Sequence, residues 1–219
     1  SIVYGGLDGI VSTFAVVAGG TGAGLPVATL LIIGCADLVA DAISMGIGDY
    51  MSSKAHKDYY NRKKQQQIIL FKKHPKQQKE KIQELLLLKN FNTKEADFVA
   101  TVFSKDQETV IDLMMAEQGV FESPGSSVKK GFYTFFAFIS FGCIPLMTYI
   151  ILPHWSLSGI DPFFLTCCFT AITLTCLGIL KGLFSKTNLI KSAAEMFFTG
   201  GLAALVAFGI GKGVSNLIR

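Results

Sequence analysis

Four side chains with metal-binding atoms recur at intervals of four residues inside one long apolar stretch. They are Asp37, Asp41, Met45 and Asp49. In an α-helix each step of four residues advances about 40° beyond one full turn, so these side chains form a slowly winding ladder on one face. An ionisable group inside a bilayer costs several kcal/mol. Three carboxylates on one face are therefore expected to point at a partner helix, a cavity or a subunit interface rather than at lipid.

A fifth residue of this kind, Asp8, lies in a separate apolar stretch and is flanked by glycines. Carboxylate oxygens bind hard or borderline divalent cations, and the thioether of Met45 adds softness, so the set suits a late first-row metal better than Ca²⁺ or Mg²⁺. A carboxylate in a low dielectric also holds a proton tightly, so protons compete with the metal. The alternative for Asp8, Asp37 and Asp41 is a set of buried hydrogen-bonding groups. Asp49 is better explained by a position at the headgroup boundary.

The elements that hold these residues are predicted to be membrane spans. Half of the 219 residues are hydrophobic, the mean hydropathy is +0.45, and 16% of the residues are charged, against roughly 25% in a soluble domain. A span needs about 20 mostly apolar residues. Five stretches satisfy this requirement, at about residues 2–20, 27–51, 131–152, 162–183 and 189–210.

The distribution of basic residues predicts the orientation. Of the 20 Lys and Arg, 15 lie between Lys54 and Lys130, and the loop between the last two spans holds most of the others. The two remaining loops hold none. The positive-inside rule then places the N-terminus, the middle segment and that last loop in the cytosol. We expect the basic segment to face the cytosol and anionic lipid headgroups, and we expect no nucleic-acid partner.

The middle segment is predicted to be a cytosolic insert of three amphipathic helices. Breaks are expected at residues 72–75 and 90–93, with Thr93 as the cap of the last helix. The fold class is thus an all-α integral membrane protein with five transmembrane helices and a three-helix insert between spans two and three. Its parts are residues 1–51 (spans one and two), 52–128 (insert) and 129–219 (spans three to five).

Several functional classes lack support in the sequence. It contains no strand pattern, no phosphate-binding or dinucleotide motif and no nucleophile elbow, and its three histidines are scattered. The five cysteines lie in apolar stretches, without the spacing of a zinc site, and are interpreted as packing residues. We therefore expect neither an enzyme nor a resident cofactor. The chain begins at Ser1 without an initiator Met or a cleavable signal, so further residues are expected to precede it.

Two segments carry a resemblance to a known family: residues 4–19 (YGGLDGIVSTFAVVAG) and 36–50 (ADLVADAISMGIGDY). Residues 112–117 (DLMMAE) and 191–203 (KSAAEMFFTGGLA) add to it. With these motifs the chain resembles the vacuolar iron transporter family over essentially its whole length. The resemblance implies a five-span homodimer that exchanges Fe²⁺, and often Mn²⁺, for protons. It implies metal ligands near the dimer axis, at Asp8, Asp37 and Met45; Asp41 is nominated by its spacing alone.

The resemblance also implies a metal-binding insert, with glutamates in its first two helices and a Met-Met pair followed by Glu in its third. The pair and the glutamate correspond to Met114, Met115 and Glu117. In residues 63–73 and 76–81, however, Gln, Lys and apolar residues stand in place of the acidic ligands. A lysine-rich surface repels cations. We therefore expect a degenerate metal site, with dimer packing or headgroup contact as the alternative role and core packing as the alternative for both methionines.

The leading hypothesis is proton-coupled export of Fe²⁺ from the cytosol, with Asp41 assisting or relaying protons. The membrane would be that of a vacuole or another intracellular compartment, or the inner membrane of a bacterium. Mn²⁺ or other divalent metals are the alternative cargo. The alternative from another class is a membrane metal sensor or structural dimer without transport.

Overall fold

The computed structural model describes residues 2–151 and 161–218, and within them every regular element is a helix. The helices are α1 (Ile2–Gly22), α2 (Val27–Lys73), α3 (Pro75–Leu88), α4 (Thr93–Phe103), α5 (Gln107–Glu117), α6 (Ser127–Ile151), α7 (Pro162–Ser185) and α8 (Leu189–Ile218). By length and composition α1, α2, α6, α7 and α8 are able to cross a membrane. This confirms the prediction of an all-α membrane protein with five spans. Leu152, the predicted end of span three, lies outside the described residues.

The chain divides into two compact units. The membrane unit contains the residues up to Met51 and those from Ser126 onward, and the second unit is Ser52–Gly125. Helix α2 belongs to both, because it continues without a break from Val27 to Lys73. Hydropathy ends the span at Met51, but no Gly or Pro stands between Met51 and Lys73 to end the helix. Composition therefore changes along α2 while the backbone conformation does not.

Close approaches at glycines show how the helices of the membrane unit run. Small residues let helices in a bilayer approach closely. Helices α1, α6 and α8 run in one direction, and α7 and the first part of α2 run in the other. The contacts that show this are Gly5 with Thr134, Gly9 with Phe138, Gly46 with Gly131, Gly34 with Leu146, Gly178 with Ala193, Gly182 with Leu189, Gly200 with Val11 and Gly19 with Ala207.

As a result, the starts of α1, α6 and α8, the end of α7 and the region of α2 around Tyr50 share one end of the bundle, which we call the proximal end. Apolar clusters fill the interior of the unit. One is built around Phe138, Leu38 and Leu146, and another around Ile10 and Leu174. These clusters fix the height of α1 and α2 against α6, and with it the relative positions of the residues that the two helices carry.

The second unit contains four helical segments, namely the end of α2 and α3, α4 and α5. The predicted breaks near His74 and Asn90 are present, but α4 is capped by Asn92 instead of Thr93. The Asn92 side chain accepts a hydrogen bond from the Glu95 N–H at 2.9 Å, and the Glu95 carboxylate accepts one from the Asn92 N–H at 3.0 Å. This reciprocal pair stabilises the start of the helix.

A further break, absent from the three-helix prediction, separates α4 from α5 at residues 104–106. Asp106 caps α5 by accepting hydrogen bonds from the N–H of Thr109 at 3.0 Å and from its hydroxyl at 2.6 Å. Apolar residues recur at helical spacing on both sides of this break, which is why the sequence indicated one helix. The Asp106 side chain favours two helices over one, because it accepts hydrogen bonds at the start of α5.

Candidate metal site in the membrane unit

The ladder on α2 lies at the edge of the face that packs in the bundle. Asp37, Asp41, Met45 and Asp49 are all half-buried. The residues that α2 buries in the bundle follow the same interval of four: Leu30, Gly34, Leu38, Ala42 and Gly46. Each of the last three directly follows a ladder residue, so the ladder is rotated by about 100° from the packed face.

On its other side the ladder borders an exposed face of small residues. Ala36, Ala40, Ser44 and Gly48 each directly precede a ladder residue, and all four are exposed. A side chain added at Gly48 would meet no atom within 4 Å. The carboxylates and the thioether are therefore bordered by apolar packing on one side and by an open, uncrowded surface on the other.

Asp8 joins this group from α1. It is exposed, one turn from the exposed Tyr4. The carboxyl groups of Asp8 and Asp41 are close enough for their charges to interact, and so are those of Asp37 and Asp41. Contacts at Gly142 of α6 explain this, because a side chain there would meet Leu38 of α2 and the carbonyl of Gly9 of α1. Asp41 of α2 is thus within charge interaction of Asp8 from another span and of Asp37, one turn away on the same helix.

The thioether and the last carboxylate of the ladder have different surroundings. Met45 is partly buried against the apolar cluster that contains Leu38, Ala42 and Phe138, one turn along α2 from Asp41. Asp49 accepts a hydrogen bond from the Thr134 hydroxyl at 2.5 Å and so links α2 to α6. The sequence analysis missed Thr134, because nothing in the pattern shows which residue of α6 faces Asp49.

The arrangement suits reversible binding of a cation better than bond-making chemistry. Within residues 2–151 and 161–218, no three His, Cys, Asp or Glu side chains are placed to hold one metal ion. Asp8, Asp37, Asp41 and Met45 supply oxygen and sulfur donors for a borderline divalent metal, while Asp8 is open to the surface. At such a site one chain would supply only part of a coordination shell, which water or a second copy would have to complete.

Comparison with known proteins identifies a family and relatives that match nearly the whole chain. The sequence model described as the VIT family matches residues 1–212. The chain belongs to the VIT family. It is 37% identical to the vacuolar iron transporter of Toxoplasma gondii over 220 residues, covering 97% of this chain and 72% of that protein. It is 30% identical to that of Plasmodium falciparum (100% and 82% covered) and 29% identical to vacuolar iron transporter 1 of Arabidopsis thaliana (98% and 85%).

These matches confirm the family resemblance that the membrane motifs predicted. Members of the VIT family are transporters, so the prediction that the chain is not an enzyme is also confirmed. The metal that such a protein carries is its substrate and not a resident cofactor. The family match extends through the second unit.

In the second unit of this VIT-family chain the candidate ligands have other surroundings. Met114 is 3% exposed and packs with Ile82 and Val110, whereas Met115 is 2% exposed and packs in a separate cluster with Tyr60. Glu117, the last residue of α5, is exposed. The two sulfur atoms thus belong to two apolar clusters, and the glutamate lies at the surface. This arrangement favours the core-packing alternative for both methionines.

Two buried polar residues of the second unit were not singled out by the sequence. Gln78 is 3% exposed, and its side-chain oxygen has no hydrogen-bond partner among the described residues. Gln67 is also buried, at 7% exposure. The apolar spacing of Ile82 and Leu85 marks the buried face of α3, and Gln78 lies one turn before Ile82 on that face. The burial of Gln78 could therefore have been predicted from its place on the apolar face of α3.

Proposed function

We propose that this chain transports ferrous iron across its membrane, out of the cytosol and into a vacuole-like or other compartment, in exchange for protons. The observation that carries the proposal is the charge interaction of Asp41 with Asp8, which comes from another span, and with Asp37, in a bundle of membrane-spanning helices. Carboxylates in a bilayer are costly and are found where ions or protons are bound. The names of the relatives indicate iron as the ion.

In this proposal Asp8, Asp37 and Met45 bind the metal directly. Two carboxylates neutralise the charge of Fe²⁺, and the thioether adds a soft donor that Ca²⁺ and Mg²⁺ do not favour. When the ion leaves, the charges of Asp8 and Asp37 are each repelled by that of Asp41 in a low dielectric, and protonation relieves this repulsion. Asp41, within charge interaction of both aspartates, relays those protons. Mn²⁺ has a similar ligand preference and is a second cargo in this scheme.

We propose that the working unit is a homodimer, with the insert of residues 52–128 facing the cytosol. Asp8 is exposed in the single chain, and an exposed carboxylate in a span requires a partner other than lipid. The exposed small residues Ala36, Ala40, Ser44 and Gly48 beside the ladder would let a second helix approach closely. A second copy placed there would bring its own Asp8 and Asp37 to the ion and complete the shell.

One observation favours a second candidate, a metal sensor or scaffold without transport. The second unit is rich in lysine, and the sulfur atoms of Met114 and Met115 lie in apolar clusters, so it lacks an evident store of metal for export. The membrane carboxylates argue against this candidate, because a scaffold would have no use for them.

The experiment that separates the two candidates is Fe²⁺ uptake into proteoliposomes with an acidic interior. The proposal predicts uptake that depends on the pH gradient, with protons leaving as iron enters. Asp37→Asn, which removes the charge at nearly constant size, abolishes this uptake. The matched control Asp112→Asn, an exposed aspartate of α5, leaves it unchanged. If the folded wild-type protein takes up neither Fe²⁺ nor Mn²⁺, with or without the pH gradient, the transport proposal is overturned and the sensor or scaffold remains.

A further inference from the structure

Two hydroxyl groups in the interior of the membrane unit lack a hydrogen-bond partner. Thr13 of α1 and Thr170 of α7 are both 0% exposed, and neither side-chain oxygen has a partner among the described residues. A buried polar group without a partner is costly, and most such groups in proteins bond to other protein groups or to ordered water. These two hydroxyls therefore need a partner that the described residues do not supply.

The two hydroxyls lie at nearly the same height in the bundle. A side chain added at Gly142 of α6 would lie 3.1 Å from the Thr13 oxygen. Farther from the proximal end, the Thr148 hydroxyl of α6 forms a hydrogen bond with the Thr166 hydroxyl of α7. Because α7 runs opposite to α6, Thr170 lies one turn back from Thr166 toward the level of Gly142. With the rise of an α-helix, the heights of Thr13 and Thr170 differ by about 3 Å.

Both side chains also face the same junction of helices. On α7, Thr170 lies one turn from Thr166, which contacts α6. In the other direction it lies one turn from Leu174, which packs with Ile10 of α1. Thr170 therefore faces the line along which α1 meets α6. Thr13 follows Ile10 by three residues on α1, and its oxygen faces α6. The two hydroxyls thus face the place where α1, α6 and α7 meet.

A third polar group at this junction comes from the backbone of α6. Pro145 lies inside the helix and is fully buried. Proline has no N–H, so the carbonyl of Phe141, four residues earlier, lacks the donor that an ordinary helix would give it. Phe141 directly precedes Gly142, which places this carbonyl at the level of the two hydroxyls. The junction therefore offers two groups that donate and accept hydrogen bonds and one that accepts.

We propose that a water molecule binds at this junction and bridges the hydroxyls of Thr13 and Thr170 and the carbonyl of Phe141. A buried water typically makes about three hydrogen bonds to groups that have no other partner. Three neutral groups suit water better than a metal cation, which would require more oxygen ligands and a negative charge. The inference concerns the interior of the bundle and holds whether or not the ladder transports iron.

The test is a double-mutant cycle on the full chain in detergent, with thermal unfolding followed by circular dichroism. Thr13→Val and Thr170→Val each replace a hydroxyl by a methyl group at nearly constant size. Each should lower the unfolding temperature by about 2–4 °C, the shift expected when about one hydrogen bond is lost from a chain of this size. The double variant should unfold at nearly the temperature of the less stable single variant, because both substitutions act on one water.

Thr175→Val is the matched control on α7. It removes a hydroxyl that donates to the Ala171 carbonyl of its own helix at 2.7 Å, so its effect should add to that of Thr13→Val. Higher unfolding temperatures for Thr13→Val and Thr170→Val would show that both hydroxyls are buried without a ligand. Additive effects in the double variant would show that they share none. Either result would overturn the proposal.

Two further measurements need no valine variant. A wild-type unfolding temperature that rises when sodium replaces choline in the buffer would assign the junction to a cation and overturn the proposal. A density map of the wild-type chain that resolves ordered water should show a peak within hydrogen-bond distance of the Thr13 and Thr170 hydroxyls. A dry junction in such a map would contradict the proposal even if the valine variants did not fold.

Discussion

The membrane unit and the second unit both contain carboxylates and methionines, but these side chains have different surroundings in the two units. In the membrane unit the carboxylates are few, and the charges of Asp8 and Asp37 each interact with that of Asp41. Between Asp58 and Glu122 there are ten acidic residues, yet Met114 and Met115 are buried in apolar clusters and Glu117 is exposed. The number of potential ligands in a region therefore says less about a metal site than their placement.

Their glycines differ in the same way. In the membrane unit glycines bring helices into contact, as at Gly9 with Phe138 and at Gly211 with Gly19. In the second unit Gly119 and Gly125 have positive φ values, and a side chain added at either would meet nothing within 4 Å. Close helix packing thus positions the ladder, whereas the second unit is held by larger apolar side chains and by helix caps.

The largest expected effect distinguishes a carboxylate of the membrane unit from one of the second unit. Asp8→Asn removes a charge that interacts with Asp41, so we expect gradient-driven Fe²⁺ uptake to fall to background. Glu117→Gln removes a charge from an exposed position and should leave uptake at the wild-type rate. Both variants are measured in the same proteoliposomes. A strong loss of Fe²⁺ uptake with Glu117→Gln would show that the second unit takes part in metal binding and would contradict the contrast between the two units.

The next effect concerns stability. Met115→Ala removes a side chain that is 2% exposed and packs with Tyr60, Ile111 and Val120. Truncation of such a buried side chain lowers the free energy of unfolding by about 2–5 kcal/mol. Thermal unfolding of the full chain in detergent, followed by circular dichroism, measures the change. An unchanged unfolding temperature would contradict the assignment of Met115 to the core.

A smaller effect is expected from a methyl group added between α1 and α8. A Cβ at position 211 would overlap the Gly19 carbonyl oxygen, whereas a Cβ at position 213 would meet nothing within 4 Å. Gly211→Ala should therefore destabilise the membrane unit by about 1–3 kcal/mol through overpacking. Gly213→Ala, on the same helix, should have little effect on unfolding. Equal free energies of unfolding for the two variants would contradict the close approach of α1 and α8.

The smallest effect is a pH dependence in the second unit. Hydrogen bonds from the hydroxyl and the N–H of Thr109 hold the pKa of Asp106 below its usual value. A carboxyl group whose pKa is lowered in the folded state stabilises that state above its unfolded pKa of about 3.9, and this contribution is lost as the pH falls through the folded pKa. Wild type should be more stable than Asp106→Asn at pH 6, and the difference in stability should shrink as the pH falls below about 3.9 and through the lowered pKa of Asp106.

Thr109→Val supplies the control for this pH dependence. It removes the hydroxyl donor and leaves the Thr109 N–H in place, so the gap between the Asp and Asn forms should shrink in the Thr109→Val background. A gap that does not change with pH would mean that Asp106 is not held in its charged form by these hydrogen bonds. Unfolding is followed by the helical circular dichroism signal at each pH.

Much of the fold could be predicted because its signals are local. A run of about 20 apolar residues predicts a span by itself, and Pro75 and Asn92 mark helix boundaries through their own backbone and side-chain chemistry. The break at Ser104–Asp106 was missed because the apolar spacing continues across it. No break was predicted at Met51, and α2 continues through it to Lys73 because a change from apolar to charged residues does not end a helix.

The candidate site could be predicted only in part. Spacing places Asp37, Asp41, Met45 and Asp49 on one face of α2, because a helix has a fixed period. That Asp8 meets Asp41 depends on how α1 and α2 lie against α6, which no local pattern determines. The choice of Met114 and Met115 as ligands came from a motif, and the motif is the same whether their sulfur atoms face a metal or a core.

The most direct test replaces one methionine of each unit with leucine. Met45→Leu and Met114→Leu both remove a sulfur atom at nearly constant volume, a change that costs less than about 1.5 kcal/mol of stability. At Fe²⁺ concentrations below saturation, Met45→Leu should lower gradient-driven uptake at least about tenfold, the loss typical when a group that supports a metal site is removed. Met114→Leu should transport Fe²⁺ like the wild type. Normal uptake by Met45→Leu together with a loss in Met114→Leu would contradict the assignment of the metal site to the membrane unit.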